Sequence, residues 1–231
     1  MSLLENFIKY IKIDTQSIED VPFNPSSKKQ FNLGNLLVEE LKSVGVDNAY
    51  IDEHCYVYAY IPSNTASSTT IGLIAHLDTA TEMSGENVNP QVIENYNGEN
   101  ITLNKDLNIV MNVIDFPILK KHIGQTIITT DGTTLLGADD KAGVAIIMEV
   151  VREIMENKEL PHPNILITFT PDEEVGMGTH SFNFDLYKKY NCTFAYTLDG
   201  DEIDTLNFEG GNNLWMKNLQ DIMPCYFDNK N

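Results

Sequence analysis

Apolar residues fall in two kinds of pattern along this chain, and the switch between them predicts its elements. Ser2-Leu-Leu-Glu5 has the form of a capping box, and Leu4, Phe7, Ile8 and Ile11 follow at helical spacing, so a short amphipathic helix opens the chain. Asn24-Pro-Ser-Ser27 is a turn. It leads into a second helix with Phe31, Gly34, Val38, Leu41 and Val44 on one face and Gly45 as its stop. Tyr56 to Ile61 is a short β-prone run ending at Pro62, followed by a surface turn of Ser, Thr and Asn from Ser63 to Thr70. Ile71 to Asp78 is continuously apolar until its last residues, as in a strand covered on both faces.

From 80 to 125, Asn, Gly and Glu recur and helical periodicity is weak, which predicts a long irregular excursion near a functional rim. Ile127-Ile-Thr-Thr130 and Thr133-Thr-Leu-Leu136 flank Asp131-Gly132, a hairpin signal. Gly143 begins a strong helix with Ile147, Val150, Val151, Ile154 and Met155 as its stripe. Ile165–Thr170 and Thr193–Leu198 read as two more buried strands. Alternating strands and helices predict an α/β fold, with a mixed, mostly parallel sheet flanked by helices. The residues after Glu209 show neither period nor caps and read as a tail.

Composition narrows the function classes. The chain has 231 residues with 42% hydrophobic content, enough for one core. A formal charge of -19 argues against nucleic acid and against an anionic membrane surface, since both need a basic face. Cys55, Cys192 and Cys225 have no CxxC spacing and an odd count, so free thiols in a reducing compartment are expected. There is no secretory leader and no run long enough to span a bilayer, which makes the cytoplasm the expected address.

The candidate chemistry sits where apolar runs stop. Ile71-Gly-Leu-Ile-Ala-His-Leu-Asp78 ends on His76 and Asp78. Leu135-Leu-Gly-Ala-Asp139 delivers Asp139, Thr170-Pro-Asp-Glu-Glu174 delivers Glu173 and Glu174, and Tyr196-Thr-Leu-Asp199 delivers Asp199. Ligand sites of open α/β sheets form at the carboxyl ends of strands. Four such ends bearing imidazole and carboxylates form a set of N and O donors that Zn²⁺ accepts, so metal-assisted hydrolysis is the leading reading. Paired Glu173 and Glu174 suit a division between proton acceptor and metal ligand. Asp78, two residues after His76, is placed to orient the imidazole. Each piece also has a plain structural reading: Asp139-Asp140 as a helix cap, Asp172–Glu174 as a solvated loop, Asp199-Gly200 as a turn. His54, His122, His162 and His180 are read as structural.

Longer segments carry a resemblance. His76-Leu-Asp-Thr79, Ser84-Gly-Glu-Asn-Val-Asn-Pro90, Ile127-Ile-Thr-Thr-Asp-Gly132, Leu135 to Gly143, Phe169-Thr-Pro-Asp-Glu-Glu-Val-Gly176 and Ala195 to Gly200 resemble the peptidase T family. These are cytosolic di-zinc aminotripeptidases of the zinc aminopeptidase and carboxypeptidase superfamily, and the likeness runs from about residue 2 to about 208. The resemblance implies hydrolysis of the N-terminal peptide bond of tripeptides. It implies that His76 and Asp199 hold one zinc, Asp139 bridges, Glu174 holds the other, Glu173 is the general base, and Asp78 orients His76. Alternatives are a di-zinc dipeptidase or amidohydrolase with another substrate, or a non-catalytic metal-binding remnant.

The same resemblance sets the expected organisation. Residues 1–208 would be the N-terminal part of a zinc-peptidase catalytic domain and 209–231 a non-matching tail. Family members continue into a lid and a returning segment that carries a late histidine. The expectation is therefore a truncated chain with impaired activity, one well-held zinc and no lid-mediated dimer.

Overall fold

The computed structural model describes residues 2–200. The expected tail at 209–231 and Cys225 lie outside the described residues.

Helix α1 (Leu3–Ile11) starts on a complete capping box, with Ser2 N donating to Glu5 Oε2 at 2.7 Å and Glu5 N donating to Ser2 Oγ at 3.3 Å. Its buried face is Asn6, Phe7, Tyr10 and Ile11. Leu4, expected inside, is exposed, and Tyr10 takes its place because its hydroxyl finds Glu40 of the next helix. That helix, α2 (Gln30–Ser43), buries Leu33, Gly34, Leu37, Val38 and Leu41, with Phe31 and Val44 at the margins. A Cβ on Gly34 would lie 2.6 Å from Ile51 Cδ1, so glycine permits this close approach. The helix stops before Gly45, which has φ +97.

The strands are β1 (Tyr50–Ile51), β2 (Val57–Ile61), β3 (Thr70–His76), β4 (Gln91–Ile93), β5 (Ile101–Asn104), β6 (Ile109–Met111), β7 (Ile127–Thr129), β8 (Asn164–Thr170) and β9 (Cys192–Thr197). Helix α3 (Ala138–Glu156) precedes β8, and the short α4 (Phe184–Lys189) precedes β9. One sheet has the order β1-β2-β8-β3-β9. β2 is antiparallel to both β1 and β8, while β3 is parallel to β8 and β9. Four of its five strands therefore run the same way, and β8, β3 and β9 end side by side. β3 and β8 are buried nearly throughout; β9 is an edge among the described strands and only half-buried, not the buried strand its apolar content predicts.

Two other expectations change. The 80–125 stretch is not irregular: β4 pairs with β7, β5 pairs with β6, and Tyr96, Ile101 and Leu119 make a small core of their own. Its strands are too short to show a period. The Asp131-Gly132 hairpin does not form either. β7 takes β4 as its partner, and 133–136 is no strand: Thr133 N donates to Asp131 Oδ1 at 3.0 Å and Leu135 N to Ser84 O at 3.0 Å. A local turn signal loses here to a longer-range pairing.

The main core lies between the sheet and α1, α2 and α3. Val144, Ile147, Met148, Val151 and Ile154 of α3 pack there, with the expected Val150 and Met155 only partly buried.

Candidate metal centre

The register of the sheet assembles the site. His76 is the last residue of β3 and lies opposite Thr170 of β8, and Leu77 N continues the ladder onto Thr170 O at 2.8 Å. This sets residues 77–78 beside the loop that carries Glu173 and Glu174. On the other side, Leu198 N donates to Ile74 O at 2.9 Å and brings Asp199 to the same edge.

The fourth contribution comes from the start of α3, where Asp139 and Asp140 have non-helical backbone angles. The buried Asp140 carboxylate accepts from Gly143 N at 3.1 Å and from His76 N at 3.0 Å, so it caps the helix and ties it to β3. The capping reading thus holds for Asp140, while Asp139 reaches the imidazole, with Oδ1 at 2.9 Å from Nε2. A Cβ on Gly143 would lie 2.2 Å from Leu198 O, so only glycine lets the helix start pass this close to the end of β9.

The imidazole is held from both sides. Nδ1 donates to the Asp78 backbone carbonyl at 3.0 Å and lies 3.4 Å from its Oδ1, and Nε2 faces Asp139 and, at 3.7 Å, Asp199 Oδ2. Asp78 is fully buried. Its carboxylate accepts from Glu173 N at 3.0 Å, from Glu174 N at 3.1 Å and from Ser17 Oγ. The orienting role expected of the Asp78 side chain is therefore shared with its own carbonyl. Donor atoms of His76, Asp139 and Glu174 lie within 4.8 Å of one another, as do those of His76, Asp140 and Asp199.

Crowded carboxylates around one imidazole shift each other's protonation. Burial disfavours the charged imidazole, but hydrogen bonds to Asp139 and Asp78 and the fields of Asp78 and Asp140 outweigh it, and the His76 pKa is pushed up to about 11. Burial and the neighbouring Asp139 push Glu174 up to about 7. Burial lifts Asp140 to about 8 and raises Asp199 as well. Asp139 is lowered, chiefly by its hydrogen bond to His76. Such a cluster calls for positive charge, and a divalent cation would take the place of the imidazole proton.

All six residues singled out from sequence, His76, Asp78, Asp139, Glu173, Glu174 and Asp199, thus meet at one sheet edge. Four that support them were missed. Ser17 lies in a stretch without periodicity. Asp140 looked like no more than a cap. Lys141 is buried, with Nζ donating to Ile13 O at 2.7 Å, and burial pulls its pKa down to about 8. Asp172, read as part of a solvated loop, is fully buried. His54 and His162 bond backbone carbonyls, and His122 bonds Gln125, as structural histidines do.

Comparison with known proteins adds an independent line. The sequence profile of the peptidase family M20/M25/M40 matches residues 130–209. Peptidase T of Alkaliphilus oremlandii is 48% identical over 221 residues, 94% of this chain and 53% of that protein. Peptidase T of Bacillus subtilis is 49% identical over 211 residues, 91% of this chain and 51% of that protein. The chain spans about half the length of the curated relatives it matches. Among solved structures, aminopeptidase PepT from Bacillus cereus aligns with a TM-score of 0.59 at 22% identity, over 87% of this chain and 43% of that one. A tripeptidase from Staphylococcus aureus aligns with a TM-score of 0.59 at 25% identity and the same coverage.

Proposed function

We propose that this chain, whose residues 130–209 match the profile of the peptidase family M20/M25/M40, carries the metal-binding part of a peptidase T-type aminopeptidase, which removes the N-terminal residue of tripeptides. The observation that carries the reading is the convergence of His76, Asp139, Glu174 and Asp199 at the carboxyl edge of the sheet, with Glu173 beside them. In this reading the metal is zinc, which the one-imidazole, carboxylate-rich donor set suits. His76, Asp139 and Asp199 would hold one ion well, and Glu174 with Asp139 would hold a second only weakly. In the same reading residues 1–208 are the N-terminal part of a zinc-peptidase catalytic domain and 209–231 a non-matching tail. The setting is the cytoplasm and the partner a small peptide, with no nucleic acid, as the charge of -19 suggests.

Zinc bound there supplies Lewis acidity, polarising the scissile carbonyl and easing deprotonation of water. The remaining work falls to the chain's own groups. Glu173, anchored through its backbone N–H to Asp78, accepts the proton from the attacking water and delivers it to the departing amine. Asp78 holds that anchor and, through its carbonyl, presents His76 with Nε2 facing the carboxylates.

The test is a panel of tripeptides, dipeptides and N-acylated amino acids with added zinc. It is run on the chain alone and after mixing with the C-terminal half of a full-length peptidase T. Turnover confined to tripeptides, alone or in the mixture, is expected. Cleavage of dipeptides or acylated amino acids in preference to tripeptides, or no turnover in either arm, would overturn the reading.

A further inference from the structure

Asp172 is a buried carboxylate for which the chemistry above has no use. Its side chain is fully inaccessible, yet no lysine or arginine pairs with it among the described residues. Four hydrogen bonds take that place. Oδ2 accepts from Ser26 N at 2.6 Å and Asn24 Nδ2 at 2.8 Å, and Oδ1 accepts from Ser26 Oγ and Gln30 Nε2, both at 2.6 Å. Its backbone N–H donates to Gln30 Oε1 at 3.2 Å, so Gln30 grips both ends of the residue. Ser26 Oγ also accepts from Ile18 N at 3.0 Å, which ties this pocket to the segment that supplies Ser17.

The neighbours of Asp172 give this grip its meaning. It has φ +56, a left-handed conformation, and the next two residues are Glu173 and Glu174, whose N–H groups both donate to Asp78. The backbone at 172–174 is thus fastened on one side to the 24–30 segment and on the other to the carboxylate beneath His76. Met177 N, donating to Asp172 O at 2.9 Å, closes the loop behind them. An unpaired carboxylate buried with four donors is costly to build and does nothing for a loop that could have been left in solvent.

We propose that Asp172 is a positioning residue: its grip on Asn24, Ser26 and Gln30 sets the direction in which Glu173 and Glu174 leave the backbone toward the metal cluster. The inference rests on the reading of these two glutamates as proton acceptor and metal ligand. It predicts that the 24–30 segment, far from the metal in sequence and without a ligand of its own, controls metal affinity. Precise placement of metal ligands depends on such outer partners, whose loss typically costs about 10–100-fold in affinity.

The test uses the full chain with cobalt(II) as probe, read by visible absorption and chelator competition, together with metal-free amide exchange. Asp172→Asn keeps the shape and tolerates the left-handed backbone, but turns its amide nitrogen on a donor, most simply Gln30 Nε2. Gln30→Glu sets two carboxylates face to face. Combined, the two substitutions restore one acceptor and one donor. Each single variant is expected to weaken cobalt binding about tenfold or more, change the visible spectrum, and speed exchange at the Glu173 and Glu174 amides while α3 exchange stays as in wild type. The double variant is expected to recover most of this. Unchanged exchange at 173 and 174, or a uniform acceleration through the sheet, would overturn the proposal. Should Asp172→Asn fail to fold, Ser26→Ala removes a single donor and is expected to shift the same readouts less far, with no shift counting against the proposal. If the metal reading is what fails, wild type itself gives no cobalt spectrum, and exchange at the two amides still decides for or against Asp172.

Discussion

Replacing Asp78 by Asn probes how the site is held together. The carboxylate offers two oxygens to Ser17 Oγ, Glu174 N, Glu173 N and, at 3.4 Å, His76 Nδ1. Asparagine has one oxygen. If it keeps the Ser17 and Glu174 side, its NH₂ faces Glu173 N, a donor against a donor, in a place with no access to water. Losing a hydrogen bond to a charged group costs about 1.5–3 kcal/mol. At about 2–4 °C per kcal/mol for a chain of this size, the metal-free unfolding midpoint should fall by about 3–12 °C. Metal affinity should suffer less than a carboxylate–histidine pair would suggest, because the Asp78 carbonyl, at 3.0 Å, still fixes the Nδ1 proton. The expected loss is at the low end of the usual range, about tenfold. Thermal melts without metal and zinc titration against a competing chelator measure the two effects separately. A thousandfold loss of zinc affinity with unchanged metal-free stability would refute the reasoning, since it would make the carboxylate itself a ligand. No change in either quantity would refute it equally.

Both three-donor groups share His76, whose Nδ1 is already committed to Asp78, so the 231-residue chain should retain one zinc per chain after dialysis; two retained ions, measured by elemental analysis, would contradict this. Glu173→Gln should abolish any tripeptide turnover and spare metal content, whereas Glu174→Gln should lower both; equal metal loss in the two variants would reverse their roles. Gly143→Ala should destabilise the chain by about 1–3 kcal/mol or more, because its Cβ would meet Leu198 O at 2.2 Å and Asp140 Oδ1 at 2.3 Å, and an unchanged denaturant midpoint would show that the helix start can shift freely.

The sequence alone determined which polar residues close the apolar runs. Apolar runs that stop on His76 and Glu173 mark buried strands with polar ends, and this follows from local pattern because a strand covered on both faces has no other place for a charge; the run before Asp199 marks a strand as well, but a half-buried one. Helices α1, α2 and α3 were legible from their spacing, though their faces were not fully so, and the six-residue α4 was not foreseen. Tyr10 replaced Leu4 inside because Glu40, on another helix, accepts its hydroxyl. The tertiary structure decided what each polar residue is for. Asp139 and Asp140 are adjacent and chemically identical, yet one reaches the imidazole and the other caps α3, a distinction set by the backbone where the helix begins. The 80–125 stretch formed paired strands that period could not reveal, because three- and four-residue strands are specified by their partners. Asp172, Lys141 and Ser17 were invisible as site residues for a related reason: their hydrogen-bond partners are Ser26, Ile13 and Asp78, and the contacts Asp172–Ser26, Lys141–Ile13 and Ser17–Asp78 join positions 146, 128 and 61 residues apart. Burial of a charge is a property of what folds over it, and no local pattern in the chain carries that information.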